Sequence, residues 1–185
     1  MRWSLPFLIA CTSHGSVDFP AQLAPLEDNR APLPVGSGPY PESLSIVSGG
    51  DTELWWAHAQ GFVHAPLEEV WVHAQEDAVC VDRREVEAWT TSEGTVPGFD
   101  ASYTIHNTVR DIITVQYDTT WVHEIQDRDE ADIPVRIVAQ WDKTAGTPFI
   151  DLLAGSVVLE AVEPDVTKIG LIEHLDASLR DDATI

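Results

Sequence analysis

The stretch 61–75, GFVHAPLEEVWVHAQ, reads as the end of a β-strand, a sharp corner and a helix that begins at Pro66. Proline suits a first helical position because its missing N–H would have no partner there and its φ is already near the helical value. Glu68 and Glu69 fall in the first turn, where the positive end of the helix dipole favours negative charge. The apolar residues at helical spacing are Leu67, Val70, Trp71 and Ala74. A strand followed directly by a short helix that packs back on a sheet encloses a cavity, so this stretch decides the fold.

Alternating apolar and polar residues around this stretch predict about six or seven strands, separated by turn signals. The predicted strands are 54–64, 101–109, 111–125, 133–142 and a last hairpin of 155–162 with 167–177, with a short strand or bend at 148–153. The weaker expectations are a short helix or strand at 43–50, a second helical piece at 76–89 with Val79, Val81, Val86 and Trp89 inward, and a loop or edge piece at 91–99. This rhythm is typical of an antiparallel sheet.

The motif Pro66-Leu67-Glu68-Glu69-Val70-Trp71, between one strand and many, resembles the opening of the START-like helix-grip superfamily. That group, also called SRPBCC-like, includes polyketide cyclases, pollen-allergen-like carriers and lipid-transfer domains, and the resemblance covers residues 54–177. It implies an α+β fold in which a curved antiparallel sheet grips helices. The family's long C-terminal helix is expected to be missing or truncated, because few residues follow Asp181. Members share a cavity far more than a chemistry.

The charge balance excludes one large class of partner. The 185 residues contain 10 Lys and Arg against 31 Asp and Glu, a formal net charge of -21. Nucleic-acid binding requires clustered basic residues that neutralise phosphates, and the sequence has no such cluster. A solvated acidic surface is the expected result.

The N-terminus predicts export and a lipid anchor. Arg2 precedes a short apolar run, and Leu8-Ile9-Ala10-Cys11 resembles the bacterial lipobox, in which the cysteine is diacylated. The predicted division is therefore a signal peptide with lipobox over 1–11, a Pro/Gly-rich linker over 12–42 and a START-like domain over 43–185. The linker is expected to be an extended spacer. The implied localisation is a membrane-anchored lipoprotein on the periplasmic face or the cell surface.

The second cysteine and the histidines predict no cofactor and no metal. Cys80 lies in the apolar sequence Ala-Val-Cys-Val, which indicates a small buried hydrophobic residue rather than a nucleophile. The sequence has no CxxC, HxH or HExxH motif, so nothing in the spacing of the histidines requires an ion.

A ligand cavity between sheet and helix is the predicted functional site. Alternation alone does not say which sheet face looks inward. The ligand-cavity candidates are Trp71, Tyr103, Tyr117, Trp121, His123, Trp141, Glu173 and His174. The leading function is a binding module for a hydrophobic small molecule. Two alternatives remain open: a structural lipoprotein that binds a partner protein, and a cyclase- or hydratase-like enzyme using a cavity His or Glu, with Asn107 as a further polar group.

Overall fold

The computed structural model describes residues 18–51, 54–110 and 113–177. The helices in these ranges are α1 (Leu67–His73) and α2 (Asp77–Cys80). The strands are β1 (Leu44–Gly50), β2 (Trp55–Val63), β3 (Ala88–Glu93), β4 (Ala101–Arg110), β5 (Thr114–Arg128), β6 (Pro134–Gly146), β7 (Ile150–Glu163) and β8 (Val166–Ala177). Within the described ranges neither helix is long and apolar enough to cross a membrane.

All eight of these strands form one antiparallel sheet in the order β1-β2-β8-β7-β6-β5-β4-β3. The connection from β2 to β3 joins one side of the sheet to its opposite edge, so α1 and α2 lie across one face. Irregular register between β5 and β6, at Asp118/Thr119 and again after Ile125, adds local bend and twist. The predicted α+β fold, a curved antiparallel sheet with helices on it, is confirmed. Because β8 ends at Ala177, the last described residue, the prediction of a missing C-terminal helix lies outside the described residues.

Because successive side chains of a strand point to opposite faces, the sheet has two distinct surfaces. We call the surface that carries α1 and α2 the helix face. Leu67 and Val70 of α1 pack there against Ile137 and Leu159, so one side of the helix is buried. After α2, the buried residues Val81 and Val86 pack on the aromatic side chains of β4, β5 and β6.

The opposite surface is crossed by residues 22–31, which we call the strap, and so we call it the strap face. Strap backbone groups pair with polar side chains from several strands. The Leu23 N–H donates to Glu124 of β5 at 2.6 Å, and the Leu26 N–H donates to Ser156 of β7 at 3.0 Å. The side chain of Asn29 donates to backbone carbonyls of β2 and β8. Leu23 itself is buried against Val122 and Val138.

This strap falls within the stretch 12–42 that the proline density predicts to be a spacer. The described part of that stretch forms neither helix nor strand, as the proline density predicts. The described part nevertheless lies against the domain and not clear of it, because sheet side chains supply partners for its backbone. The predicted signal peptide and the first residues of the stretch, 1–17, lie outside the described residues.

The strand count and several predicted bounds differ from the structure. Residues 44–50 form an edge strand, one of the two forms expected there, and residues 88–93 form the other edge strand, so the sheet has eight strands and not six or seven. The helical piece predicted over 76–89 is a single turn, α2, and the chain is already in β3 at Ala88. Val79, predicted to point inward, is 63 % exposed. The separate strands predicted at 148–153 and 155–162 are one strand, β7, because Gly155 continues the ladder.

Candidate functional site

A row of paired residues crosses the helix face at right angles to the strands. Tyr103 pairs with Trp121, Trp121 with Trp141, and Trp141 with Gly155, so the row runs from β4 to β7. Gly155 pairs in turn with Glu173 of β8. The row therefore brings four of the predicted cavity residues together through strand register, although 70 residues of sequence separate the first from the last.

The aromatic rings of this row stack on one another. The indoles of Trp121 and Trp141 lie 4.4 Å apart at an interplanar angle of 17°, and the Tyr103 ring follows at 6.0 Å. Gly155 makes this arrangement possible, because a Cβ at that position would lie 1.9 Å from the Trp141 indole. A glycine inside a strand often marks such a close approach. This role of Gly155 was not predicted, although a glycine within a strand is a signal for it.

A chain of hydrogen bonds runs from α1 through the row to α2. The Trp71 Nε1–H donates to His123 Nδ1 at 3.2 Å, and since an indole nitrogen only donates, neutral His123 carries its proton on Nε2. That Nε2–H donates to the Tyr103 hydroxyl at 3.2 Å, and this hydroxyl donates to Cys80 Sγ at 3.3 Å. The Cys80 thiol then donates to the Ala74 carbonyl at 3.4 Å. One unambiguous donor thus sets the direction of every later bond.

The electrostatics of this chain keep its members uncharged. Burial lowers the pKa of His123 to about 4. Burial, together with the neighbouring Cys80, raises the pKa of Tyr103 above its ordinary value. Burial also raises the pKa of the Cys80 thiol to about 11, as its apolar setting in the sequence predicts. Each side chain is therefore neutral at physiological pH and is already engaged with its neighbours.

The polar groups of Trp121, Glu173 and Tyr117 on this face have no hydrogen bond to another described residue. The Trp121 Nε1 atom is buried and has no partner in that part of the chain. Burial, with the charge of Asp82 nearby, raises the pKa of Glu173. Burial, with the charge of Glu173, raises the pKa of the Tyr117 hydroxyl to about 12. The carboxyl of Glu173 and the hydroxyl of Tyr117 are thus desolvated polar groups on an otherwise apolar surface.

The eighth candidate, His174, lies on the other surface. Of the predicted cavity residues, six are on the helix face of the sheet and Trp71 reaches it from α1, whereas His174 alternates with Glu173 and points to the strap face. It therefore does not line the same site. The alternation of β8 made that separation predictable, but the choice of inward face needed the position of α1.

On the strap face His174 meets a residue that sequence analysis did not consider, Glu27 of the strap. Glu27 Oε1 lies 3.2 Å from His174 Nε2 and 2.9 Å from Nε2 of the fully buried His58 of β2. Burial raises the pKa of Glu27, but the His174 hydrogen bond and the Arg30 charge outweigh it and hold that pKa below its ordinary value. The three side chains are the group of potential metal ligands found within the described residues.

Comparisons with known proteins place the fold and leave the function open. No family model and no curated protein matches the sequence. Among solved structures, a STAR-related lipid transfer protein fragment from Xanthomonas axonopodis is similar, with 13 % identity and a TM-score of 0.53. That match covers 76 % of this chain and 81 % of that one. The human StarD13 (DLC2) lipid transfer and protein localization domain is similar at 8 % identity and a TM-score of 0.52, over 75 % of this chain and 72 % of that one. At these identities the likeness is one of fold.

Proposed function

Because this protein has a START-like helix-grip fold, we propose that it binds a hydrophobic small molecule on the helix face. The observation that carries the proposal is the apolar part of this face that neither α1 nor α2 covers. Leu44 and Ile46 of β1 share it and are 61 % and 60 % exposed. Trp55 of β2 continues the surface, with its ring lying over Gly50. The two similar lipid-transfer structures are consistent with an apolar ligand.

The mechanism is burial of apolar ligand surface, with a few polar groups that fix orientation. Leu171 of β8 and Ala59 of β2 pair next to Ile46, so an apolar strip leads from the β1 edge toward the middle of the sheet. Glu173 lies two residues after Leu171 in β8, so it is the next side chain on the same face. Its carboxyl is desolvated and has no hydrogen-bond partner among the described residues, so it is the group best placed to hydrogen-bond a polar group of the ligand.

The hydrogen bonds of the helix face favour ligand binding over proton transfer as its function. A general acid or base must be able to exchange its proton with the substrate. The His123 imidazole accepts from Trp71 and donates to Tyr103, so both of its nitrogens are occupied. The Tyr103 hydroxyl is occupied in the same way by Cys80. This chain of hydrogen bonds therefore stabilises the contact between the helices and the sheet. The ligand is recognised by the apolar surface and by Glu173.

The test is a titration of the full chain with the apolar dye Nile red, displaced by oleic acid. Ile46→Asp introduces a charge into the proposed contact surface and is expected to weaken binding at least tenfold, since burying an unpaired carboxylate costs several kcal/mol. Ile133→Asp is the matched control: Ile133 is similarly exposed, at 54 %, and lies between β5 and β6. Equal binding by the two variants, or no dye binding by the wild type, would refute the proposal.

We further propose that the module is exported and anchored by lipid on Cys11. The support is the sequence Leu8-Ile9-Ala10-Cys11 after a short apolar run. Diacylation supplies two chains, which anchor a protein stably because each buried CH₂ contributes about 0.8 kcal/mol. Incorporation of labelled palmitate in a bacterial host tests this, with Cys11→Ser expected to abolish labelling and Cys80→Ala, the other cysteine, expected to retain it. Label that persists in Cys11→Ser would reject the anchor.

A further inference from the structure

The strap face carries a side-chain cluster that ligand binding on the helix face does not use. We propose that Glu27, His58 and His174 form a binding site for a divalent transition-metal ion such as zinc, which locks the strap onto β2 and β8. One carboxylate and two imidazoles are a ligand set that zinc and related ions accept. The ligand atoms of the three residues all lie within 4.8 Å of one another.

The distances within the cluster match those between ligands of one ion. Glu27 Oε1 lies 2.9 Å from His58 Nε2 and 3.2 Å from His174 Nε2. An ion with metal–ligand bonds of about 2.0–2.2 Å places its ligand atoms roughly 3 Å or slightly more apart. The spacing of the ligand atoms is therefore compatible with a single ion, although His58 must also change its tautomer to bind it.

The surroundings hold the ligands in position and leave a path for the ion. The Arg30 guanidinium donates to Glu27 Oε2 at 2.8 Å and lies 4.9 Å above the Trp56 ring, so Oε1 is the oxygen that faces the imidazoles. The Trp56 ring meets the His58 ring edge-on at 5.1 Å. His58 is fully buried, but the side chains of Glu27 and His174 are 29 % and 21 % exposed, which gives access from solvent.

Space for further ligands lies beside the cluster. A cavity of about 160 Å³ between strap and sheet is lined by Glu27 together with polar residues such as Asn29 and Gln60. The cavity is lined by Glu27 but by neither histidine, so it offers room for water on the Glu27 side of the site, where a water would be the fourth ligand of an ion that has three protein ligands. The net charge of -21 also raises the local concentration of cations.

Ion binding requires a specific tautomer change, and this gives the proposal a sharp consequence. The Arg30 backbone N–H donates to His58 Nδ1 at 3.0 Å, so the neutral ring carries its proton on Nε2, toward Glu27. A neutral imidazole that binds the ion through Nε2 must carry its proton on Nδ1 instead. The Arg30 amide then loses its acceptor. Ion binding and the Arg30–His58 hydrogen bond are therefore mutually exclusive.

The strap gains the stability that the ion contributes. Glu27 lies 31 residues from His58 and 147 residues from His174 along the chain, so the ion cross-links distant segments. Any ion that binds the folded chain and not the unfolded one stabilises the fold by mass action. A rise in melting temperature with added ion is therefore expected, and it is separate from any effect of a ligand on the helix face.

The experiment is a titration of the tag-free full chain with Co²⁺, followed by visible absorption, and displacement of Co²⁺ by Zn²⁺. We expect one equivalent to bind, with affinity reduced at least tenfold in His174→Gln and in Glu27→Gln. His106→Gln is the matched control, because His106 and Asp118 form a histidine–carboxylate pair at 2.5 Å on the same face, with no third potential ligand among the described residues. Unchanged affinity in His174→Gln and Glu27→Gln, or no stoichiometric binding, would overturn the proposal.

A second measurement follows the Arg30 backbone amide by NMR and hydrogen exchange. Exchange at Arg30 is expected to accelerate on addition of Zn²⁺, because the amide loses His58 Nδ1 as its acceptor. Amides elsewhere in the strap are expected to become more protected. An Arg30 amide that stays protected in the presence of bound ion would place the ion away from this cluster and so reject the site.

Discussion

Replacing Trp71 by phenylalanine tests whether one indole donor fixes the hydrogen-bond chain of the helix face. Phenylalanine retains an apolar ring on α1 but removes the N–H that donates to His123 Nδ1. His123 is 2 % exposed, so solvent does not replace the lost donor. A buried polar atom without its partner costs ~1–3 kcal/mol. We expect the free energy of unfolding to fall by about 2 kcal/mol from this loss, a decrease in melting temperature of about 4–8 °C for a domain of this size.

The size change from indole to phenyl has its own cost, and a control removes it. Trp55→Phe makes the same change at a half-buried tryptophan whose indole nitrogen has no hydrogen bond to another described residue. Urea denaturation of both variants isolates the hydrogen bond as the difference between them. Nitrogen chemical shifts of His123 give a second readout, because without the indole donor the imidazole is free to carry its proton on Nδ1. Equal destabilisation of the two variants, with an unchanged His123 tautomer, would refute the reasoning.

Three further predictions concern burial and charge. The pKa of His123 is about 4 against an ordinary 6.5, so its contribution to stability is present above pH 6.5 and is lost as pH falls toward 4. The loss is about 3 kcal/mol by linkage, and urea titrations across this range are expected to show a flatter profile for His123→Gln. The raised pKa of Glu173 has the opposite sign, because its contribution is lost as pH rises. Glu173→Gln is therefore expected to have a higher urea midpoint than wild type at pH 7, and a lower midpoint would contradict the burial of that carboxyl. In the displacement of Nile red, this variant is expected to distinguish less between competitors with and without a polar group. Leu23→Ala in the strap is expected to cost about 3 kcal/mol because Leu23 is 1 % exposed, whereas Leu33→Ala, just after the strap and at 54 % exposure, is expected to cost less than about 0.5 kcal/mol. Similar melting temperatures for the two variants would show that the strap is not part of the core.

Local patterns in the sequence were sufficient for the helix and for most strands. Pro66 and the spacing of Leu67 and Val70 placed the start of α1 to within a residue, because helix initiation and an apolar helical face are short-range properties. Alternation placed the hairpin around Glu163-Pro164-Asp165, where β7 ends and β8 begins. The prediction failed at 76–89, where a helical turn gives way to an edge strand whose pairing with β4 is a long-range contact.

The candidate site divides in the same way. The aromatic and polar side chains of the helix face were identifiable as candidates because large aromatic residues in strands are normally buried. Their grouping was not, since the row from Tyr103 to Glu173 depends on the register of five strands. The assignment of His174 to the opposite surface depended equally on where α1 lies.

By itself, the sequence determined the elements whose cause is local: the corner at Pro66, the alternation of the strands, the acidic surface, and the cysteine in its lipobox-like setting. Only the tertiary structure decided which face of the sheet the helices cover, and that the proline-rich stretch lies on the other face as a strap. Both decisions come from contacts between residues far apart in the chain. Glu27, His58 and His174 meet only when β8 closes against β2 and the strap crosses both, and no spacing along the chain encodes that meeting.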